Sequence, residues 1–454
     1  MKKFKFILGI FILLISSSLF IDHNVQNNTK LFQKYKNKLF TSNMRKNIRS
    51  ILTKFNTYFV YKKDEFKFKK RKENIRLNEN ISKSDLYLYT NTNLITTGPR
   101  AYFTSDDENL FLVTGTGILM GIPIEKISNK NEELKFKKIQ TNLEEFLKSY
   151  RNEDKFFSKT SMVKSLLYKN DLFFVSIIQK FNESCFKHVI LQGKFNKDEV
   201  LFEEFFQINK CRHFYLDYVG GNLADYKDGK ILYTVGDWGI CEDPRWLKKY
   251  KKGYCTKNSA QSMSSALGKI FEINLLTKKS NVISIGHDNP QGIIYDSIND
   301  IIFSTEHGPK GGGELNINIK PSVTQIKNYG YPISSYGEHY GYPNPEIMYK
   351  YDEAPFYKSH KDYGFQEPLD YYVPSIGPSD IEKIDNMLLV ASMGGNIKKK
   401  QLSLHVYTLN ENQGIESNQI FPVYERIRDI HVLDKYVVLF LETTGTVAFY
   451  ERNL

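Results

Sequence analysis

Six short apolar runs, each introduced by a polar turn, constrain this chain more than any other feature. They are LFLVTG at 110, LFFVSI at 172, ILYTVG at 231, IIFSTE at 301, LLVASM at 388 and VVLFLE at 437. The segments ahead of them, SDDEN, YKND, YKDGK, SIND, KIDN and LDK, carry the Asp, Asn and Gly chemistry that hairpin turns require. The runs recur about every 65 residues, which suits a four-stranded antiparallel blade with long loops, and radial repetition of such blades makes a propeller. A sandwich also holds many short strands, but it does not repeat one apolar signature at a fixed long period. Amphipathic helical patterns are confined to LEEFLKSY and EDPRWLKKY. The expected fold is therefore all-β: a six-bladed β-propeller over residues 86–454.

The net charge of +12 suggests nucleic acid until it is located. Residues 30–79 hold sixteen Lys and Arg against Asp64, Glu65, Glu73 and Glu79, so the remainder is close to neutral. Nothing after residue 80 spreads basic groups over a folded face as a duplex-binding domain does, and nucleic acid is set aside. The chain opens MKKFKFILGIFILLISSSLFIDHN, three lysines and then an uncharged stretch, the pattern of a signal peptide or signal anchor over residues 1–29. Ser16 and Ser18 offer small residues for cleavage, which leaves cleavage and anchoring both open. Residues 30–85 then form a basic linker or, with the anchor retained, a membrane-proximal segment. The expected location is outside the cytoplasm, periplasmic or extracellular. Cys185, Cys211, Cys241 and Cys255 show no zinc-ligand spacing, so disulfides are expected, Cys241 with Cys255 and Cys185 with Cys211 by proximity in sequence.

Two places carry chemistry on their own residues. The stretch EHGPKGGGELNIN, residues 306–318, has a bare backbone beside His, Lys and Glu. It reads either as a tight turn that only glycine tolerates or as consecutive amides forming an anion nest with Lys310. No GK[ST] follows, so it is not a nucleotide P-loop. Arg426 and Arg428 stand two apart in a strand and point the same way, which is costly unless they meet an anion or an acid. Asp429 offers a structural partner.

Five segments, HDNPQGIIYD, TEHGPKGGGELNIN, KNYGYPISSYGEHY, PSIGPSD and RIRDIHV, together resemble, in their order, the soluble pyrroloquinoline-quinone (PQQ)-dependent sugar dehydrogenases, the glucose/sorbosone dehydrogenase family. The resemblance is weak before residue 215 and strong after 285. It implies a six-bladed propeller, an aldose oxidised at its anomeric carbon, a tricarboxylate quinone over the centre, a calcium ion polarising a quinone carbonyl, and a His that takes the sugar hydroxyl proton. Gly308 and Pro309 match the main-chain ligands of that calcium. Glu314 and the carbonyl of Tyr329 match a second, structural calcium. Arg426, Arg428 and Asn289 match cofactor contacts.

Several positions depart from the family pattern. Tyr218 stands where the catalytic His is expected, with Asp217 kept beside it, and His213 lies five residues earlier. Asp288 replaces an Arg, Gly394 falls where a Lys is expected with Lys398 following, and Gly313 replaces an Asp. A phenol with a pKa near 10 is a poor base at neutral pH, and a carboxylate at 288 would oppose a cofactor carboxylate. Two functions follow: a PQQ-dependent sugar dehydrogenase in which Asp217 or Tyr218 replaces the His, or a catalytically inactive propeller that binds a carbohydrate or a cell-surface partner. The aromatic run YGYPISSYGEHYGYP suits stacking on sugar rings in either case.

Overall fold

The computed structural model describes residues 62–452 except 77–84, 93, 95–99, 148–161, 183–184, 197, 209–210, 212–217, 240, 242–259, 341–347 and 396–401. The described residues fall in one compact unit, Thr57–Leu454. The expected signal or anchor at 1–29 lies outside them.

Each of the six apolar runs is the second strand of a four-stranded antiparallel blade. Blade 1 begins with the inner strand Ala101–Ser105 and continues through Asn109–Thr114, Leu119–Pro123 and Glu133–Lys138. The inner strands of blades 2 to 6 are Val163–Lys169, Gly220–Tyr226, Asn289–Asp296, Pro378–Ile384 and Ile427–Val432. Successive inner strands are neighbours, and that of blade 6 lies against that of blade 1, which closes the ring. The turns before the runs behave as their composition requires. Asp106 Oδ1 accepts the amides of Glu108 and Asn109 at 2.9 and 2.6 Å, and Asp171, Asp300 and Asp385 take left-handed φ values of 60°, 52° and 52°.

Closure uses the first residues of the expected propeller together with a strand from before its expected start. Tyr87–Thr90 supplies the fourth strand of blade 6, with Tyr87 opposite Phe449. Glu65–Lys70 pairs with both that strand and Glu133–Lys138 of blade 1, which joins blades 6 and 1 into one nine-stranded sheet. The linker expected over 30–85 is therefore corrected at 65–70: Phe66 and Phe68 alternate with charged residues and are fully buried, with the period of two that a half-buried strand shows.

The core lies between blades, filled by side chains such as Phe111, Phe173, Phe303 and Tyr407. A polar belt crosses the axis. Asp429 Oδ2 accepts from the Phe103 amide at 2.6 Å and Asp380 Oδ2 from the Ile430 amide at 2.8 Å. Asn222 Nδ2 reaches Gln291 O at 2.8 Å and Asp380 Oδ1 at 3.3 Å, and Ser165 Oγ donates to Asn222 Oδ1 at 2.7 Å. Cys185 and Cys211 form a disulfide, as expected. Cys241 is also disulfide-bonded, and its expected partner Cys255 lies outside the described residues.

Candidate functional site

In every blade the inner strand starts on the same face of the ring, because successive inner strands run side by side in one direction. That geometry gathers residues far apart in sequence. Arg100 precedes the inner strand of blade 1, Tyr218 that of blade 3, Asp288 that of blade 4, Gly377 that of blade 5 and Arg426 that of blade 6. The ends of the antiparallel second strands return to the same face. They bring His307 to the glycine turn of blade 4 and Glu442 to the edge of blade 6.

Glu442 organises the arginine pair. Its Oε1 accepts from Arg426 Nε, and its Oε2 from Arg428 Nε at 2.7 Å and Nη2 at 2.5 Å. Asp429, the partner expected from sequence, is instead tied into the axial belt. Burial alone would raise the Glu442 carboxyl, but Arg428, Arg426 and Arg100 together hold it down at about 2. The two arginines differ in setting: the Arg428 side chain is 3% exposed and that of Arg426 is 44% exposed. Among the described residues Arg426 Nη2 meets only Met393 Sδ, at 3.9 Å, a weak contact.

Asn289 is buried across the strand pair from His307. Its Oδ1 accepts from the Gly220 amide at 3.1 Å and Gln291 Nε2 at 2.7 Å. His307 hydrogen-bonds the Gly377 backbone, while its Nε2 has no protein partner among the described residues. Burial, and then Arg428, Arg426 and Arg100, push its imidazole down to about 4, so it is neutral.

Asp288, whose carboxylate was expected to oppose a cofactor carboxylate, is buried. It is 1% exposed, the Asp237 amide donates to its main-chain oxygen at 2.7 Å, and its carboxyl lies against that of Asp237. Burial pushes Asp237 up to about 6 against bonds from Gly239 N, Tyr331 Oη and Asp288. Two carboxyl groups in such contact share a proton, so the pair carries less negative charge than two free carboxylates. Tyr218 is half-buried with a left-handed φ of 58°, a conformation that costs free energy unless its surroundings enforce it. They do so through the Trp238 amide, which donates to Tyr218 O at 2.9 Å, and through Gly236, where an added Cβ would lie 2.1 Å from that oxygen. Asp217, the other catalytic candidate, lies outside the described residues, as does His213.

The glycine-rich stretch is a reversal between Ile301–His307 and Gly313–Ile319. Pro309 O accepts the Gly312 amide at 2.7 Å. A Cβ on Gly308 would sit 1.8 Å from Gly312 O, so no other residue fits there. Among the described residues no cluster of three or more His, Cys, Asp or Glu side chains is arranged to hold a metal ion. A hard cation at this turn would thus draw on main-chain oxygens.

Behind the turn, Glu314 pairs with the imidazole of His360, Oε1 to Nε2 at 3.2 Å, and its Oε2 takes Asn316 Nδ2 at 3.4 Å. Glu306 accepts Asn316 Nδ2 at 2.9 Å and lies 3.2 Å from His287 Nδ1. Burial pushes both carboxyl groups up to about 7. Burial would lower His360, but Glu314 raises it above its ordinary value. Glu314 and His360 are thus engaged with each other, and Glu314 is already committed where the second calcium was expected. Tyr329 packs on His287 with ring centroids 4.8 Å apart and donates its hydroxyl to Ile317 O at 2.7 Å.

Tyr218, Asn289, Gly308, Pro309, Arg426 and Arg428 thus share one face, with Glu314 and Tyr329 buried behind it. Sequence reasoning missed Glu442, Arg100, His360 and Asp237. Glu442 was visible as the last letter of the sixth run, VVLFLE, and Asp237 as the acid closing the third, but nothing local marked either as a site residue.

A family model described as Glucose / Sorbosone dehydrogenase matches residues 168–448. The chain belongs to that family. A curated relative of this glucose/sorbosone dehydrogenase family member, the uncharacterized protein slr1608 of Synechocystis sp., is 28% identical over 229 residues, 46% of this chain and 50% of that protein. The aldose sugar dehydrogenase YliI of Escherichia coli is 37% identical over 84 residues, 17% of this chain and 21% of that enzyme. The quinoprotein glucose dehydrogenase B of Acinetobacter calcoaceticus is 28% identical over 141 residues, 28% of each. The chain thus aligns with half or less of the length of these relatives. Among solved structures, a glucose dehydrogenase superposes with a TM-score of 0.57 at 18% identity, covering 79% of this chain and 97% of that one. The soluble aldose sugar dehydrogenase of E. coli in its apo-form gives 0.54 at 16%, covering 77% and 94%. At such identities the likeness concerns the propeller fold.

Proposed function

We propose that this chain is an exported propeller that binds a PQQ-type quinone on the face where the inner strands begin and oxidises an aldose at its anomeric carbon. The observation that carries this is the Arg426–Glu442–Arg428 arrangement. One buried carboxylate orders two guanidinium groups beside Asn289 and the glycine turn, and its single negative charge leaves a positive excess for an anionic ligand. When bound, the quinone would supply a two-electron acceptor and a calcium ion on the main-chain oxygens of Gly308 and Pro309 would polarise its carbonyl. The withdrawal of Asp288 into its pair with Asp237 supports this, because it lessens the repulsion a cofactor carboxylate would meet. We assign Glu314 to its ion pair with His360 rather than to a second calcium with Tyr329.

The chain's own groups have separate tasks in this proposal. Arg426 and Arg428 fix the anionic edge of the ligand, and Asn289, with Oδ1 already satisfied, offers its amide nitrogen. The sugar hydroxyl must lose a proton as its carbon is oxidised. Asp217 is the better acceptor, since a carboxylate is ionised at neutral pH and a phenol with a pKa near 10 is not. Tyr218, locked by Trp238 and Gly236, would orient the sugar. Export is supported by the amino-terminal sequence and by the Cys185–Cys211 disulfide, since such bonds persist in oxidising compartments. Among the described residues no helix is long and apolar enough to cross a membrane.

The presence of Tyr218 at the position of the base supports a second proposal, a propeller that binds carbohydrate or a cell-surface partner without catalysis. Aldose-dependent dye reduction separates the two. With PQQ and calcium supplied, the enzyme reading expects activity that falls at least a hundredfold in Asp217→Asn while quinone binding persists. Quinone-loaded protein with no sugar-dependent reduction would favour the non-catalytic propeller.

A further inference from the structure

Arg71 follows the bridging strand Glu65–Lys70, far ahead of the region that matches the family model. Its amide donates to Leu88 O at 2.8 Å, and its guanidinium is spent on blade 6. Nε donates to Thr90 Oγ1 at 2.8 Å, Nη1 to Glu425 Oε1 at 2.8 Å, and Nη2 to Thr444 Oγ1 at 2.5 Å and Thr446 Oγ1 at 2.9 Å. The Thr444 hydroxyl in turn donates to Glu425 Oε2 at 2.6 Å. One planar fork thus joins three pieces of chain: the fourth strand of blade 6, the bend just before its inner strand, and the turn between its second and third strands, Tyr436–Leu441 and Thr446–Glu451. The last two pieces carry the arginine and glutamate edge. Glu425 is next to Arg426, Thr444 lies two residues after Glu442, and the Glu442 amide donates to Arg426 O at 2.9 Å.

We propose that Arg71 is a positioning residue for that edge. It holds Glu425 against Thr444, so that Arg426 and Glu442 project from backbone fixed at both ends, and it makes the strand that closes the ring a working part of the ligand face. A guanidinium that served closure alone would need only its bonds to Thr90 and Thr446, which pair across strands. The bonds to Glu425 and Thr444 add nothing to that pairing and fall on the segments that flank Arg426 and Glu442. The side chains of Arg71 and Glu425 are 27% and 15% exposed, so their contact is better shielded than a surface ion pair. A lysine could keep the charge but not the fork. The consequence for a quinone rests on the function proposed above; the ordering of the edge by Arg71 does not.

The test compares the full chain with Arg71→Ala, Arg71→Lys and Phe68→Leu by hydrogen exchange and mass spectrometry, without ligand. Phe68 is fully buried in the same strand and packs on Phe136, so Phe68→Leu weakens closure without removing an Arg71 bond. Losing the charge-assisted contacts in Arg71→Ala should speed exchange about tenfold at residues 425–428 and 440–446, and leave the turn at 433–436, at the other end of the blade, unchanged. Arg71→Lys should keep part of the protection. Exchange that is unchanged at 425–428, or that rises equally at 433–436, overturns the proposal. Titration with PQQ and calcium reads the consequence: a Kd about tenfold weaker in Arg71→Ala and unchanged in Phe68→Leu. Equal weakening in both variants, or none in Arg71→Ala, makes Arg71 a clasp of the ring and overturns its part in the site. A wild type that binds no quinone defeats the function proposed above, and the exchange pattern then decides the role of Arg71 by itself.

Discussion

Replacing Glu442 with Gln should be among the most damaging single changes of charge in this propeller. The carboxyl is 8% exposed and held at about 2 instead of the usual 4.5. At 1.36 kcal/mol per pH unit, that preference for the ionised form is worth about 3 kcal/mol at neutral pH. Most of it comes through Arg428, which is buried, while the contact with the more exposed Arg426 is screened by water. Glu442→Gln leaves the Arg428 guanidinium buried without a counter-charge, so the expected loss at pH 7 is about 3 kcal/mol, within the range for breaking a buried pair. The sign with pH follows from the lowered pKa. The stabilisation is complete above the unfolded value of 4.5 and fades as pH falls towards 2. The gap between wild type and variant should therefore narrow by about 1 kcal/mol at pH 4 and about 2 kcal/mol at pH 3. Urea unfolding of both proteins from pH 7 to pH 3 measures it. A gap below 1 kcal/mol at pH 7, or one that does not narrow in acid, would refute the assignment of Glu442 as the anchor of the arginine pair.

Three further outcomes are expected. His405 is buried, with both ring nitrogens lacking a hydrogen-bond partner among the described residues, and burial holds it at about 4. Its contribution is present above 6.5 and lost as pH falls towards 4, about 2 kcal/mol by pH 5, so thermal melts should show His405→Phe less sensitive to acid than the wild type over pH 7 to 5. Asp288→Arg, which on sequence alone would restore a basic cofactor contact, should instead force a longer, charged side chain into a site that is 1% exposed and lower Tm without improving quinone affinity; tighter binding at unchanged Tm would contradict the burial of Asp288. Gly308→Ala places a methyl 1.8 Å from Gly312 O, so the turn must rebuild, and any stabilisation by added calcium in a melting assay should disappear.

The ring of blades was legible because the second strands are buried on both faces and read as unbroken apolar runs, each with an Asp, Asn or Gly turn ahead of it. Its closure was hidden. In Glu65–Lys70 the alternation of Phe66 and Phe68 with charged neighbours sat inside a stretch whose net charge suggested a linker, and Tyr87–Thr90 is only four residues long. The arginine pair was visible from its spacing, but its partner was not. Asp429 is adjacent in sequence and faces the axis, whereas Glu442 arrives from the next strand. The charge at Asp288 was read from the chain as facing a ligand, and only folding shows it paired with Asp237, fifty-one residues earlier.

Calorimetric titration of the full chain with PQQ and calcium, for the wild type and for Arg426→Ala/Arg428→Ala, tests the central claim most directly. The account predicts saturable binding of one quinone per chain in the wild type, calcium-dependent and weakened by salt, and no measurable binding in the double variant. Quinone affinity that is equal in the two folded proteins, or absent from the wild type at any calcium concentration, would contradict it.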